Sequence, residues 1–119
     1  MTRYHALAAL WTAIVLAGCL VPGDAIRDFA LFSRDKLYHI AAFAIYAVLW
    51  RRAGWSLKAV VGSGIAFALL IEILQGTLPI GRYADPLDTL ADIVGLGLGV
   101  WIWRTFRLAR EERKQRTGA

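Results

Sequence analysis

The sequence is poor in the residues that build common catalytic and metal sites. It has one cysteine, Cys19, and two histidines, His5 and His39, in 119 residues. A lone cysteine cannot form an internal disulfide, and two histidines that lie 34 residues apart, near the starts of different apolar stretches, offer little to a metal. There is no nucleophile elbow, no His-Glu-x-x-His helix and no glycine-rich phosphate loop. We therefore expect no metal and no cofactor.

Charge is also scarce. Charged residues make up 19% of the chain and hydrophobic residues 58%, with a mean hydropathy of +0.50, whereas an ordinary soluble domain has about 25% charged residues. A soluble chain of this length could not cover so much apolar surface. The net charge of +5 does not indicate nucleic-acid binding, because the basic residues lie at the ends of apolar runs.

Four apolar stretches run along the chain, at residues 6–21, 37–50, 57–78 and 87–103. Crossing a bilayer core of about 30 Å takes about 20 helical residues. We therefore predict an all-α integral membrane bundle of four transmembrane helices, in which flanking residues extend the shorter stretches. Residues 1–106 would form this domain, and residues 107–119 a basic cytoplasmic tail, either helical or disordered.

Lysine and arginine predict the orientation of the bundle. Ten of these residues flank the ends that hold both termini, and four flank the opposite ends. Because basic residues are retained in the cytoplasm, both termini should be cytoplasmic. Four tryptophans fall at the same boundary, as an aromatic belt would place them: Trp50, Trp55, Trp101 and Trp103.

The acidic residues have the opposite distribution, since seven of nine belong to the outer half in this topology. Three pairs of polar residues at helical spacing lie there, and each pair can share one helix face: Asp35 with His39, Glu72 with Gln75, and Asp88 with Asp92. Ionisable groups within a span usually face the bundle interior and find partners. The cations within reach are Lys36 and Arg82, and we predict that Glu72 pairs with Arg82.

Simpler structural roles remain open for several of these residues. Asp85 before Pro86 is a strong helix start, and Asp88 in the first turn would be favoured by the helix dipole. Lys36 could extend to the membrane surface. Two further patterns of small residues predict close helix packing: Gly95 with Gly99 in the fourth span, and Gly62 with Ala66 in the third.

Several of these polar residues, in this order, resemble the VanZ-like family. The resemblance rests on Asp35-Lys36, His39, Glu72 with Gln75, Gly81-Arg82, Asp85, Asp88 and the glycine-rich fourth span. One departure is Asp92, where the family pattern leads us to expect asparagine. The resemblance implies a protein of the bacterial cytoplasmic membrane that is associated with resistance to the glycopeptide teicoplanin. It carries over no catalytic residue and no cofactor.

Three functions compete. The leading one is binding of an envelope lipid, or of a lipid-linked or glycopeptide molecule, and the candidate ligand-binding residues are Asp35, Lys36, His39, Glu72, Gln75, Arg82, Asp85, Asp88 and Asp92. The second is a membrane hydrolase or transferase with His39, Glu72 and Asp88 as acid–base candidates, which we favour less. The third is a structural, assembly or transport subunit, which would form a homo-oligomer.

Cys19 allows one more interpretation. Leu16 to Cys19 reads as a bacterial lipobox, in which Cys19 would be lipidated and the preceding segment removed. Short matches of this kind arise easily in apolar runs, and we favour a retained first helix. The outer position of Cys19 is the same in both cases.

Overall fold

The computed structural model of the chain describes residues 3–21, 34–79 and 85–118, without the side chains of residues 34 and 35. Arg82 and the side chain of Asp35 therefore lie outside the described residues. The described ranges form four α-helices and no strand: α1 (Arg3–Cys19), α2 (Arg34–Arg52), α3 (Leu57–Thr77) and α4 (Pro86–Arg116). The all-helical prediction is confirmed. Of the two forms considered for the basic tail, the structure shows a helix up to Arg116.

Local signals in the sequence explain where α3 and α4 begin. The hydroxyl of Ser56 accepts a hydrogen bond from the amide of Ala59 (3.1 Å) and caps α3. Before it, Gly54 has a φ of +103°, which glycine adopts at no steric cost and which ends α2. Asp85 caps α4 by accepting from the amide of Leu87 (2.9 Å), with Pro86 in the first position. The predicted cap at Asp85 is confirmed.

Two of the four helices, α3 and α4, are long and apolar enough to cross a bilayer. Only 28% and 33% of their most apolar segments are buried, so these are not the core helices of a soluble protein. The helix α1 is also apolar but has 17 residues. In α2, charged residues at both ends, from Arg34 to Lys36 and at Arg51 and Arg52, lower the mean hydropathy. These features, with many exposed leucine and isoleucine side chains, indicate a membrane protein.

The helices α2 and α4 form the most extensive contact of the bundle. Gly95 and Gly99 lie on the backbone of α2, where an added Cβ would overlap the carbonyl oxygens of Ile40 and Ala44. The predicted close packing through these two glycines is confirmed. Glycine is required here because only hydrogen fits between the two backbones.

The small residues predicted for the third span, which could pack within the bundle or in a dimer, do not pack within the chain. Gly62 and Ala66 are exposed, and an added Cβ at Gly62 would meet no atom within 4 Å. The buried pair is Gly64 and Ala68, two positions further along. Both pairs have the same four-residue spacing, so spacing alone could not distinguish the face that packs from the face that is exposed.

Aromatic and hydroxyl side chains fill the opposite half of the bundle. The rings of Phe43, Tyr46 and Phe67 lie within 6.0 Å of one another. Two indoles fasten α1 to α2: Trp11 donates to the carbonyl of Ala42 (2.9 Å), and Trp50 donates to the hydroxyl of Thr12 (3.1 Å). The helix α1 is therefore an integrated part of the bundle.

Candidate functional site

Five ionisable residues meet between the first turns of α2 and α4, and we call them the polar cluster: Lys36, His39, Asp85, Asp88 and Asp92. The ammonium group of Lys36 lies 2.8 Å from Oδ2 of Asp85 and 2.6 Å from Oδ1 of Asp88. Lys36 is 8% exposed. Its ammonium group therefore binds two carboxylates and is directed into the bundle.

One turn deeper, His39 lies between two carboxylates. Its Nδ1 is 2.6 Å from Oδ1 of Asp92, and its Nε2 is 3.8 Å from Oδ2 of Asp88. Asp92 is only 1% exposed and His39 only 5%. The spacing of Asp88 and Asp92 by one helical turn is what allows α4 to present one carboxylate to each side of the ring.

The described residues of the cluster carry more negative than positive charge. Three carboxylates face one ammonium group and one imidazole. At the edge of the cluster, the hydrogen bond from Lys36 holds the pKa of Asp85 below its ordinary value; partial burial opposes this shift, and the amide of Leu87 adds to it. Asp85 therefore combines two roles, since it caps α4 and also binds Lys36.

The two polar residues of α3 contact different neighbours. Glu72 accepts a hydrogen bond from the hydroxyl of Thr89 on α4. Gln75 donates from Nε2 to the carbonyl of Cys19 at the end of α1 (2.9 Å). The predicted pairing of Glu72 with Arg82 falls on a residue outside the described ranges and stays a prediction. Thr89 was missed because an uncharged hydroxyl in an apolar run gives no sequence signal.

An apolar groove of about 350 Å³ lies beside the cluster, between α1 and α2. Its walls include Trp11, Ile14, Gly18, Tyr38, His39 and Phe43. His39 belongs to both the groove and the polar cluster, so a molecule in the groove would touch the cluster at this residue. Sequence reasoning missed the groove, because its lining residues are those of any membrane-facing helix.

The predicted site residues thus fall into three groups. Five of them form the polar cluster. Glu72 and Gln75 hold α3 to α4 and to α1. Asp35 and Arg82 lie outside what the structure describes at side-chain level. Of the two acids predicted to act with His39, Asp88 lies next to its ring, as does Asp92. The described hydrogen bond of Glu72 goes to Thr89 instead.

Comparison with known proteins adds the family. The comparison with curated proteins and the comparison with solved structures each gave no match. The model of the VanZ/LLP1 family matches residues 3–107. This match covers all of α1, α2 and α3 and the part of α4 that carries Asp88 and Asp92. Since the match takes in the polar cluster and nearly all of the helical bundle, the chain belongs to the VanZ/LLP1 family.

Proposed function

We propose that the protein crosses the bacterial cytoplasmic membrane four times, with both termini in the cytoplasm, and binds an amphiphilic envelope molecule at its outer end. The lengths of the shorter helices support four spans. At 1.5 Å per residue, α1 and α2 are about 26 and 28 Å long, close to the hydrocarbon thickness of about 30 Å. The charged ends of α2 would then lie at the two membrane surfaces.

The observation that carries the binding proposal is the continuity of the apolar groove with the polar cluster through His39. An amphiphile has an apolar chain joined to a polar group, and the protein has an apolar groove joined to a polar cluster. The groove volume of about 350 Å³ is within the range of about 300–1,000 Å³ that is usual for small-molecule sites. The chain of the ligand would lie along α1 and α2, and its polar group would lie at the cluster.

The charges of the cluster favour one kind of polar group. Lys36 is already bound by Asp85 and Asp88, so it offers little to an anion. Asp85, with a side chain 37% exposed, is the accessible carboxylate at the edge. This accessible carboxylate favours a ligand that carries hydroxyl or amino groups. Resistance to teicoplanin would follow if such binding changed access to cell-wall precursors next to the membrane.

Filling the groove tests this proposal. An added Cβ at Gly18 meets no atom within 4 Å, and Gly18 lines the groove, so Gly18→Leu should occupy the groove without disturbing the helices. We expect the purified variant to lose most of the amphiphile that copurifies with the wild type, as measured by mass spectrometry of extracted lipids, and the cells that express it to lose teicoplanin resistance.

The matched control is Gly62→Leu, which adds the same side chain to an equally open helical position outside the groove. It should keep both the bound amphiphile and the resistance. If the two variants behave alike, or if Gly18→Leu retains the wild-type amphiphile, the groove is not the binding site.

A second function has one specific observation in its favour. Asp92 holds Nδ1 of His39, and Nε2 lies on the side of Asp88. A carboxylate that orients an imidazole is a common arrangement for general acid–base catalysis. A hydrolase or transferase would be favoured over a binding protein if the wild type converts the retained amphiphile to a product. The His39→Gln variant should then still bind the amphiphile but no longer convert it.

A further inference from the structure

A second groove lies at the end of the bundle opposite the polar cluster, where α2 ends, α3 begins and α4 continues. It has a volume of about 370 Å³, and we call it the basic groove. Its lining includes three arginines and three apolar side chains: Arg51, Arg104, Arg107, Leu57, Val100 and Trp103. It therefore combines a strongly cationic part with an apolar wall.

Positive charge at this end is far in excess of what nearby acids can neutralise. From residue 103 to residue 116, α4 carries six cationic and two acidic residues, and α2 adds Arg51 and Arg52. One acid, Glu111, lies in the groove, where it pairs with Nε of Arg107 at 3.4 Å. Both side chains are more than half exposed, and such a pair is weak and easily rearranged.

Arg51 supplies a more specific observation. Its Nη1 donates to the carbonyl of Trp55 (2.8 Å), which holds the guanidinium in place. Its Nε is shielded from solvent and has no hydrogen-bond partner among the described residues. A buried donor without a partner is costly. A phosphate in the groove would satisfy it after a small shift of the side chains that cover Nε, and the planar guanidinium suits phosphate in particular.

In the four-span placement proposed above, on which this step rests, the groove would lie at the depth of lipid headgroups. Arg104 is the nineteenth residue of α4 and Arg107 the twenty-second, which places them about 28 and 33 Å along the helix. With α4 starting at one surface of a hydrocarbon core of about 30 Å, these arginines reach the opposite surface. Val100, one turn earlier, lies on the hydrocarbon side.

We propose that the basic groove binds the phosphate of an anionic phospholipid in the adjacent leaflet, with an acyl chain against Leu57 and Val100. The phosphate contacts Arg51, Arg104 and Arg107, and the apolar wall distinguishes a lipid from free phosphate. This site is separate from the apolar groove at His39, and it rests on none of the residues proposed to bind the envelope amphiphile.

Lipid titration of the detergent-purified full chain, followed by native mass spectrometry, tests the proposal. The probes are phosphatidylglycerol, phosphatidylcholine and inorganic phosphate. We expect the wild type to bind phosphatidylglycerol in preference to phosphatidylcholine, and Arg104→Gln/Arg107→Gln to weaken phosphatidylglycerol binding about tenfold, since each cation near an anionic lipid surface contributes appreciably. Both arginines are exposed, so this variant should fold.

The control is Arg113→Gln/Arg116→Gln, which removes the same charge from the same helix outside the basic groove. It should weaken binding by less than about twofold. Arg51→Lys keeps the charge but loses the Nε donor, and it should weaken binding severalfold. An equal loss in both double variants, no preference for phosphatidylglycerol, or displacement of the lipid by inorganic phosphate would each overturn the proposal.

Discussion

Charged side chains are arranged differently at the two ends of the bundle. In the polar cluster, cationic and acidic side chains are buried and contact each other between α2 and α4, 49 to 53 residues apart in sequence. At the basic end, the pair of Arg107 with Glu111 lies on one helix, four residues apart, with 59% and 57% of the side chains exposed. The buried pairs join two helices, whereas the exposed pair lies within one helix.

The difference follows from the cost of removing charge from water. Burying a lone ion costs several kcal/mol, and a partner at hydrogen-bond distance offsets part of that cost. Each member of the polar cluster therefore depends on its neighbours. At the basic end, Arg104 and Arg107 are exposed, so water can solvate them and no buried protein partner is needed.

The largest effect is expected from Asp92→Ala, which removes the most buried carboxylate of the cluster. It leaves Nδ1 of His39 without its acceptor at 2.6 Å, and breaking a buried pair in this way costs about 3–5 kcal/mol. Unfolding by SDS in mixed micelles, followed by circular dichroism, measures the change.

Asp92→Asn sharpens the same test, because the amide oxygen can still accept from Nδ1–H. It should recover most of the lost stability, in agreement with the asparagine that the family pattern leads us to expect at this position. If Asp92→Ala lowers the free energy of unfolding by less than about 1 kcal/mol, which is the contribution of an exposed pair, the buried pairs are no stronger than the exposed one and the comparison of the two ends fails.

A smaller effect is expected from Gly95→Ala, which tests whether close backbone packing keeps the cluster together. The added methyl group would overlap the carbonyl of Ile40, and the resulting overpacking should cost about 1–3 kcal/mol. The same micelle unfolding experiment measures it. Gly97→Ala is the control on the same helix, since its methyl group meets no atom within 4 Å, and a loss of stability there as large as at Gly95 would contradict the packing argument.

The smallest effect is expected at the basic end. Arg107→Ala and Glu111→Ala, singly and together, should each change stability by less than about 1 kcal/mol, because an exposed pair at this spacing contributes little. A double-mutant cycle of unfolding free energies isolates the pair. A coupling energy comparable with that of His39 and Asp92 would contradict the expected difference between exposed and buried pairs.

The sequence predicted the helices and several local features well, because these depend on neighbouring residues. Asp85 before Pro86 determines where α4 begins, and the spacing of Gly95 and Gly99 anticipates the contact with α2. Four transmembrane spans remain a proposal, since two helices meet the criteria of length and composition. The charges at the ends of α2 lower its hydropathy although its middle is apolar.

The pairings within the site could not be predicted, because they depend on how α2, α3 and α4 are arranged. Several cations and acids were available, and spacing along one helix does not identify the partner on another. The hydroxyl of Thr89, which binds Glu72, gave no charge signal. Asp92 departs from the family pattern, in which we expect asparagine, yet it is the most buried member of the cluster.

The long sequence separation within the polar cluster has a consequence for biosynthesis. The carboxylates that bind Lys36 and His39 come 49 to 53 residues later in the chain. At about 5–20 residues per second, roughly 3–10 s pass between the synthesis of α2 and the synthesis of its acidic partners. During that interval the ammonium group of Lys36 and the ring of His39 lack the carboxylates of α4, and the polar cluster can assemble only after α4 has been made.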